Sequence, residues 1–205
     1  MDMNWLMGFI EGEGCFSISF IRSKTQKLGY QIKPMFVIKL TESEKEVLEK
    51  IRIYLGNIGN IYLESSESNR RRGLKNSRDC AGFRVTKLEE LQNLIKLLKN
   101  QIFISQRKEK DFKNWVKCIE MIENKEHLTK EGFLRIALIR DQIHTTKQSN
   151  KKGFCYIKNE LEPCYMMKKE NSIPENCSIK NELIKSNEEK NLIKPLDIIC
   201  EVGEC

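Results

Sequence analysis

Near the amino terminus the chain reads Leu6-Met7-Gly8-Phe9-Ile10-Glu11-Gly12-Glu13-Gly14-Cys15-Phe16. Leu6, Phe9 and Ile10 fall on one side of a 3.6-residue period, which predicts a short helix. Glycine is unfavourable inside a helix and favourable where a helix ends or where another backbone approaches closely. The stretch therefore predicts a helix that ends among its acidic residues and leads directly into a strand at residues 15–21.

The two acidic residues stand at the end of the predicted helix where a carboxylate is unfavourable. The C-terminal end of a helix carries partial negative charge, so an acid there needs a cation beside it. A hard divalent ion, bound by carboxylate and backbone carbonyl oxygens, would supply that positive charge. The residues alone leave a second interpretation equally open, which is a solvated, glycine-rich turn after an ordinary helix.

The same stretch resembles the signature motif of the LAGLIDADG homing endonucleases. That motif reads leucine, small, glycine, apolar, apolar, acid, small, acid, glycine, small and aromatic, and Met7 departs from it by standing where a small residue is usual. The resemblance continues, in the order and chemistry of the segments, to about residue 149. It implies one LAGLIDADG endonuclease domain with a single motif at residues 1–149, followed by an extension of unassigned structure at residues 150–205.

Composition narrows the class of protein. The chain is 40% hydrophobic and 32% charged, which describes a globular protein. No apolar run approaches a membrane span, and the N-terminus lacks the layout of a signal peptide. The eight cysteines include no C-x-x-C pair and the chain has 2 histidines, so we expect reduced thiols rather than a zinc site. We therefore expect an intracellular protein, in a prokaryotic cytoplasm or an organelle matrix, with no membrane partner.

Positive charge is concentrated in the first part of the chain. Every arginine lies within residues 1–149, whereas residues 150–205 carry slightly more acidic than basic side chains, and the whole chain has a formal net charge of +7. Phosphate contacts supply most nonspecific affinity for nucleic acids, so a basic body with clustered arginines indicates a polyanionic partner. A lysine-rich solvated surface is the alternative, and the segregation of the arginines favours the nucleic acid.

Hydrophobic periodicity predicts the order helix, two strands, helix, two strands, helix. The strands are expected at residues 15–21, 31–40, 58–64 and 80–86, and Pro34 places the second of them at a sheet edge or a bulge. Helices are expected at 41–55, 87–101 and 112–122, and after a Thr129 cap. The resemblance implies the same αββαββα core, an α+β fold whose curved antiparallel sheet lies in the DNA major groove, with extra C-terminal helices.

Polar side chains on the outer face of the predicted sheet are candidates for DNA contact. Such groups read base edges and phosphates in a groove, although they also cover ordinary solvated sheets. Residues 65–79 form a basic, turn-rich stretch that we expect to be a loop contacting phosphates, in preference to a solvated hairpin tip. The expected DNA-binding residues are Ser17, Ser19, Arg22, Lys24, Gln31, Lys33, Lys39, Arg70, Arg71, Arg72, Arg78 and Arg84.

The resemblance also implies a Mg²⁺-dependent active site. In the family the second acid of the motif and the preceding carbonyl hold the metal beside the scissile phosphate, which implies Glu13 as a catalytic residue and Glu13 with Gly12 as metal ligands. A lysine a few residues before an Asp-Phe pair supports that site. Lys108 matches this catalytic position best, and its neighbour Arg107 is the alternative. Glu11 is implied to be structural.

A single motif in a single core domain implies a homodimer whose motif helices pack side by side, with Gly8 and Gly12 at the interface. The implied function is a site-specific homing endonuclease that makes metal-dependent double-strand breaks in DNA. Two alternatives use the same scaffold: an RNA-splicing maturase whose partner is intron RNA, and a DNA-binding regulator that does not cut. Retention of Glu13 favours the nuclease, because a pure binder has no need of an acid beside phosphates. The target sequence is left open.

Overall fold

The computed structural model describes residues 1–71, 73, 78–143 and 153–161. In these residues the elements, in chain order, are α1 (Met3–Glu13), β1 (Gly14–Arg22), β2 (Tyr30–Thr41), α2 (Lys45–Tyr54), β3 (Asn60–Glu64), α3 (Ser66–Arg71), β4 (Cys80–Val85), α4 (Leu88–Leu98), α5 (Gln106–Glu123), α6 (Lys130–Arg140) and α7 (Phe154–Leu161). The predicted αββαββα order is confirmed. The short helix α3 is added between the last two strands, and α5 to α7 follow the core.

The strands form a single antiparallel sheet in the order β1-β2-β4-β3. β2 pairs with β1 between Tyr30 and Ile38, whereas it pairs with β4 between Phe36 and Thr41. Pro34 pairs with Ile18 and lies before the β4 ladder begins, so its missing N–H breaks no bond to a second neighbour. The predicted edge position therefore holds at Pro34, although the same strand is internal further along.

One face of the sheet is buried under helices because side chains alternate between its two faces. Phe16, Phe36 and Phe83 are fully buried on that face. The ring of Phe16 lies 5.1 Å from that of Trp115 and 5.2 Å from that of Phe112, both on α5. The sheet and α5 thus share one aromatic core, and the opposite face of the sheet is left uncovered by the described helices.

Helix α1 begins at an aspartate cap, where Asp2 accepts a hydrogen bond from the backbone N–H of Trp5 at 2.9 Å. Its buried residues are Leu6, Met7 and Ile10. The sequence pattern groups Phe9 with Leu6 and Ile10, whereas the buried residue that accompanies those two is Met7. Phe9 instead stacks on Trp5, with ring centroids 4.9 Å apart, on a more exposed side of the helix.

Helix α5 begins earlier than periodicity predicts. The sequence pattern placed its start at Phe112, whereas the helix begins at Gln106. The reason is a cap: the hydroxyl of Ser105 accepts a hydrogen bond from the N–H of Lys108. Lys108 therefore lies in the first turn of a long helix and not in a loop that precedes it.

Helix α7 lies in the segment assigned by sequence to the extension 150–205. It packs against α6, and Phe154 and Ile157 are buried. The backbone N–H of Phe154 donates to the carboxylate of Asp141 at 2.7 Å, which ties the start of α7 to the end of α6. The boundary at residue 149 stays a prediction. None of the described helices combines the length and the apolar character that a membrane crossing requires.

Candidate active site and nucleic-acid interface

Glu13 is the last residue of α1, and its side chain is exposed. Among the described residues, none forms a hydrogen bond or an ion pair with its carboxylate. The carbonyl groups of a last helical turn lack intrahelical donors, and Gly12, which is exposed, belongs to that turn. Carboxylate and carbonyl oxygens are the ligands that hard divalent cations prefer, so the tip of α1 fits such an ion.

Within the described residues, the donor set at the tip of α1 is incomplete. The described part of the chain contains no cluster of three or more His, Cys, Asp and Glu side chains able to hold a metal. Glu13 with the Gly12 carbonyl could therefore contribute only part of a coordination shell, and the remaining ligands would have to come from water, a nucleic-acid phosphate or another copy of the motif.

The direct junction of α1 and β1 at Gly14 fixes where the tip of α1 meets the sheet. The N–H of Gly14 caps the helix by donating to the carbonyl of Ile10. A Cβ at position 14 would lie 2.6 Å from that same carbonyl oxygen, closer than real Cβ contacts come. Glycine is therefore required here by the close approach of the helix, and Glu13 is held at the junction of α1 and β1.

Lys108 reaches this junction from α5. Its side chain is 4% exposed, and its ammonium donates a hydrogen bond to the carbonyl of Gly14 at 2.5 Å. Burial lowers the pKa of Lys108, and the adjacent guanidinium of Arg107 lowers it further. Arg107 itself is half-exposed and lies 3.9 Å from Asp111. Of the two alternatives for this position, Lys108 therefore contacts the motif, whereas Arg107 lies beside Asp111.

Glu11 connects the motif to the start of α5. Its two carboxylate oxygens accept hydrogen bonds from the backbone N–H groups of Ile104 and Ser105, the latter at 3.1 Å. Ser105 is the capping residue of α5, so the carboxylate holds the segment from which Lys108 projects. The sequence analysis predicts a structural role for Glu11 but not the backbone groups that it binds. A helix cap recognised at Ser105 would have indicated that segment as the partner.

The outer face of the sheet carries part of the predicted DNA-binding set. Cross-strand pairs such as Ser19 with Lys33, and the alternation of these residues with buried ones, place them opposite the core. The predicted residues that lie on this face are Ser17, Ser19, Gln31, Lys33, Lys39 and Arg84. Tyr62 and Glu64 of β3 share the face and were not among the predicted residues.

The prediction that Arg22 follows this outer face is wrong. In a strand adjacent residues point to opposite faces, so the outer position after Ser19 belongs to Ile21, which is 43% exposed. Arg22 pairs with the buried Tyr30 at the end of the strand and therefore has the parity of the core. Arg22 and Lys24 line a cavity of about 580 Å³ at this end of the sheet.

The basic stretch at residues 65–79 contains a helix where a loop was predicted. The hydroxyl of Ser65 accepts a hydrogen bond from the N–H of Ser68 and caps α3. The sequence analysis considered the run of arginines and missed this cap. Arg70 and Arg71 lie in its last turn, and Arg71 pairs with Glu67 at 2.5 Å. Arg78 is exposed just before β4, whereas Arg72 lies outside the described residues.

The exposed side of α1 carries both glycines predicted at an interface. Gly8 and Gly12 are exposed, and a Cβ built on either would meet no atom of the rest of the described chain within 4 Å. Trp5 is 43% exposed on the same helix. A helix whose side chains are absent at these positions allows another backbone to approach closely.

The fold and the site together define a class of protein: an α+β domain in which a helix tip presents a carboxylate beside a sheet with a basic outer face. Residues 6–119, more than half of the chain, match the sequence model of the family described as LAGLIDADG endonuclease. The chain therefore belongs to the LAGLIDADG endonuclease family, as its motif suggested.

Two fungal proteins illustrate the family relationship. Probable intron-encoded endonuclease 3 of Neurospora crassa is 31% identical over 137 residues, which are 67% of this chain and 24% of that protein. An uncharacterized 50.9 kDa protein in ND4 intron 1 of Podospora anserina is 30% identical over 132 residues, 63% of this chain and 26% of that protein. The chain spans about a quarter of the length of these curated relatives.

Solved structures resemble the fold over most of its length. The homing endonuclease I-TnaI is 28% identical with a TM-score of 0.62, over 80% of this chain and 97% of that one. The archaeal intron-encoded homing endonuclease I-Vdi141I, complexed with DNA, is 25% identical with a TM-score of 0.64, over 78% of this chain and 94% of that one. The predicted fold class is confirmed by these structures.

Proposed function

We propose that this protein is a site-specific homing endonuclease that makes double-strand breaks in DNA. The observation that carries the proposal is the exposed carboxylate of Glu13, which stands at the tip of α1 where the sheet begins. A carboxylate that faces phosphates weakens binding by repulsion, so a protein that only binds nucleic acid has no use for it. The names of the relatives as endonucleases support the same interpretation.

The outer face of the sheet is the proposed DNA-binding surface. It combines the cations Lys33, Lys39 and Arg84 with the short polar side chains of Ser17 and Ser19. Cations suit phosphates, and hydroxyl and guanidinium groups suit base edges in the major groove, which is wide enough for strands. The DNA complex of a structural neighbour supports this partner.

The proposed cofactor is Mg²⁺, held by the Glu13 carboxylate and the Gly12 carbonyl. A divalent ion bound there would lower the pKa of an attacking water and stabilise the leaving 3′ oxygen. The protein's own part is to hold the charge in place: Glu13 anchors a cation at the negative end of α1, and Lys108 fixes the turn that follows it.

We propose further that the active protein is a homodimer. One chain supplies one Glu13, whereas a double-strand break requires cleavage of two strands. The exposed side of α1, with open space over Gly8 and Gly12, would let the same helix of a second copy approach across a two-fold axis. That arrangement would place both copies of Glu13 near one another, each beside its own strand.

The proposed setting is inside the cell, in a prokaryotic cytoplasm or an organelle matrix. The naming of the relatives as intron-encoded, or as located in an intron, supports a gene carried within an intron. The corresponding DNA target is the host sequence from which the intron is absent. Intron RNA is the partner expected under the alternative maturase function.

The test is cleavage of a plasmid that carries the uninterrupted host sequence, with Mg²⁺ added and then removed by a chelator. We expect the parent protein to cut both strands, and Glu13→Gln to lose several orders of magnitude in cleavage rate while it still binds the DNA. The matched control is Glu11→Gln, two positions away in the motif, which acts through folding because Glu11 holds the backbone of Ile104 and Ser105.

Four other outcomes would each contradict part of the proposal. Cleavage by Glu13→Gln at the parental rate would show that the active site lies elsewhere. Cleavage that continues after chelation would overturn the metal requirement. If the parent cuts no DNA but binds intron RNA, the maturase function replaces the nuclease, and if it binds only duplex DNA, the regulator does.

A further inference from the structure

An aromatic ring lies flat on the outer face of the sheet between β3 and β4. Tyr62 pairs in register with Gly82. A Cβ added to Gly82 would lie 2.2 Å from the ring carbon Cζ of Tyr62, well inside van der Waals contact. The ring thus occupies the space that any side chain at position 82 would take, and glycine is what lets it lie against the strand.

The guanidinium of Arg84 stacks on this ring. Its Cζ atom lies 4.9 Å from the centroid of Tyr62. Arg84 is next to Gly82 on the same face of β4, so the ring that covers Gly82 lies in reach of the arginine. Burial raises the pKa of Tyr62 above the ordinary tyrosine value. A guanidinium stacked on a ring keeps the N–H donors along its edge available to an acceptor in its plane.

The neighbouring carboxylate does not engage Arg84. Glu64 forms an ion pair with Lys39, and this hydrogen bond raises the pKa of Lys39. The ion pair spans β4, which lies between the two strands that supply it. Lys39 of β2 is in register with Gly82 of β4, and Glu64 of β3 is in register with Cys80 of β4. In the part of the chain that the structure describes, Arg84 has no acidic ion-pair partner. Its donors are therefore open to an external acceptor.

We propose that Arg84 reads a guanine in the DNA target and that Tyr62 is the positioning residue that aims it. This inference rests on the proposed DNA-binding function. Guanine presents two acceptors, O6 and N7, side by side in the major groove, and a guanidinium edge matches both. Adenine presents a donor in place of O6, so the same edge rejects it. Because the ring already restricts the guanidinium, less freedom is lost on binding than for an unsupported arginine.

The experiment is selection of bound duplexes from a library of randomised DNA, followed by sequencing, without divalent metal so that no duplex is cut. The parent should recover a consensus with a specified guanine. Arg84→Ala, which removes the donors, and Tyr62→Leu should each lower the preference for guanine at that one position by about tenfold or more. Tyr62→Phe keeps the ring face and should therefore keep the preference for guanine. A loss of the preference in Tyr62→Leu but not in Tyr62→Phe would show that the ring itself positions Arg84.

Two further variants complete the design. Gly82→Ala should displace the ring and weaken the same guanine preference. Arg78→Ala removes an exposed arginine outside the strands and should reduce binding to all sequences without changing the consensus. Thermal unfolding of each variant, followed by circular dichroism, verifies that all of them fold.

The outcomes that would contradict the role of Arg84 differ from the outcome that would contradict DNA binding. If Arg84→Ala binds with the parental consensus, or weakens binding uniformly, Arg84 does not read a base and the inference is wrong while DNA binding stands. If Tyr62→Leu alone leaves the consensus unchanged, Tyr62 does not position Arg84. If the parent recovers no DNA at all, the proposed DNA-binding function fails and the inference fails with it.

Discussion

The ammonium of Lys108 donates a hydrogen bond to the carbonyl oxygen of Gly14 at 2.5 Å, so the long helix α5 is attached to the turn that closes the motif helix. A second attachment runs the other way, because Glu11 of the motif accepts the N–H groups of Ile104 and Ser105 just before α5. The position of Glu13 therefore depends on α5 as much as on α1. The positive charge at Gly14 also offsets the negative end of the α1 dipole.

Burial of the Lys108 ammonium predicts how the free energy of unfolding depends on pH. Because burial lowers the pKa of Lys108 below the 10.5 of an ordinary lysine, the unfolded chain binds more protons than the folded one between these two values. Stability contributed by this residue therefore rises as the pH rises through that interval. We expect the free energy of unfolding of the parent, relative to Lys108→Met, to increase as the pH approaches 10.5. Urea denaturation at a series of pH values measures it, and a difference independent of pH would contradict it.

The two glycines on either side of Glu13 should respond differently to alanine. At Gly14 the added Cβ meets the carbonyl of Ile10 at 2.6 Å, and we expect a loss of about 1–3 kcal/mol in the free energy of unfolding. At Gly12 the Cβ meets open space, and alanine should stabilise the single chain by up to about 1 kcal/mol through its helix propensity. Chemical denaturation at concentrations low enough for monomers compares them. Equal losses would show that Gly14 is not the constrained position.

The open side of α1 predicts the association state. We expect the parent to be a dimer at micromolar concentration and Gly8→Leu to be a monomer, because the leucine side chain would separate the two helices. The matched control is Lys50→Leu, which adds the same apolar side chain to an exposed position of α2 and should remain a dimer. Light scattering measures all three proteins, and a monomeric parent would rule out this interface.

Helix α3 should contribute unequally to DNA affinity. Arg71 is already paired with Glu67, so Arg70→Ala should reduce the salt dependence of binding by about one counterion and Arg71→Ala by less. Arg135 on α6 is also exposed and paired with an acid, and its replacement by alanine should leave the salt dependence unchanged. Binding titrations over a range of salt concentrations provide the slopes. A parental slope for Arg70→Ala would place α3 away from the DNA.

The sequence determined the order of the elements and the location of the motif, since both follow from local rules. Alternation along the chain is enough to define strands, and the same alternation predicts the buried positions that Phe16, Phe36 and Phe83 occupy. The glycines that flank Glu13 likewise mark the end of a helix without reference to anything distant, because only backbone geometry is involved. The same local logic predicted the outward direction of Lys39 and Arg84.

Only the tertiary structure decided which residues meet across the chain. Local spacing grouped Phe9 with Leu6 and Ile10, whereas packing buries Met7 with them. It also predicted Arg22 on the outer face, whereas strand parity gives Arg22 the side of the core. The bond from Lys108 to Gly14 joins residues far apart in sequence, and no periodicity encodes it. The stacking of Arg84 on Tyr62 requires β3 and β4 to be paired in the register that sets Gly82 opposite Tyr62, and register is a property of the assembled sheet.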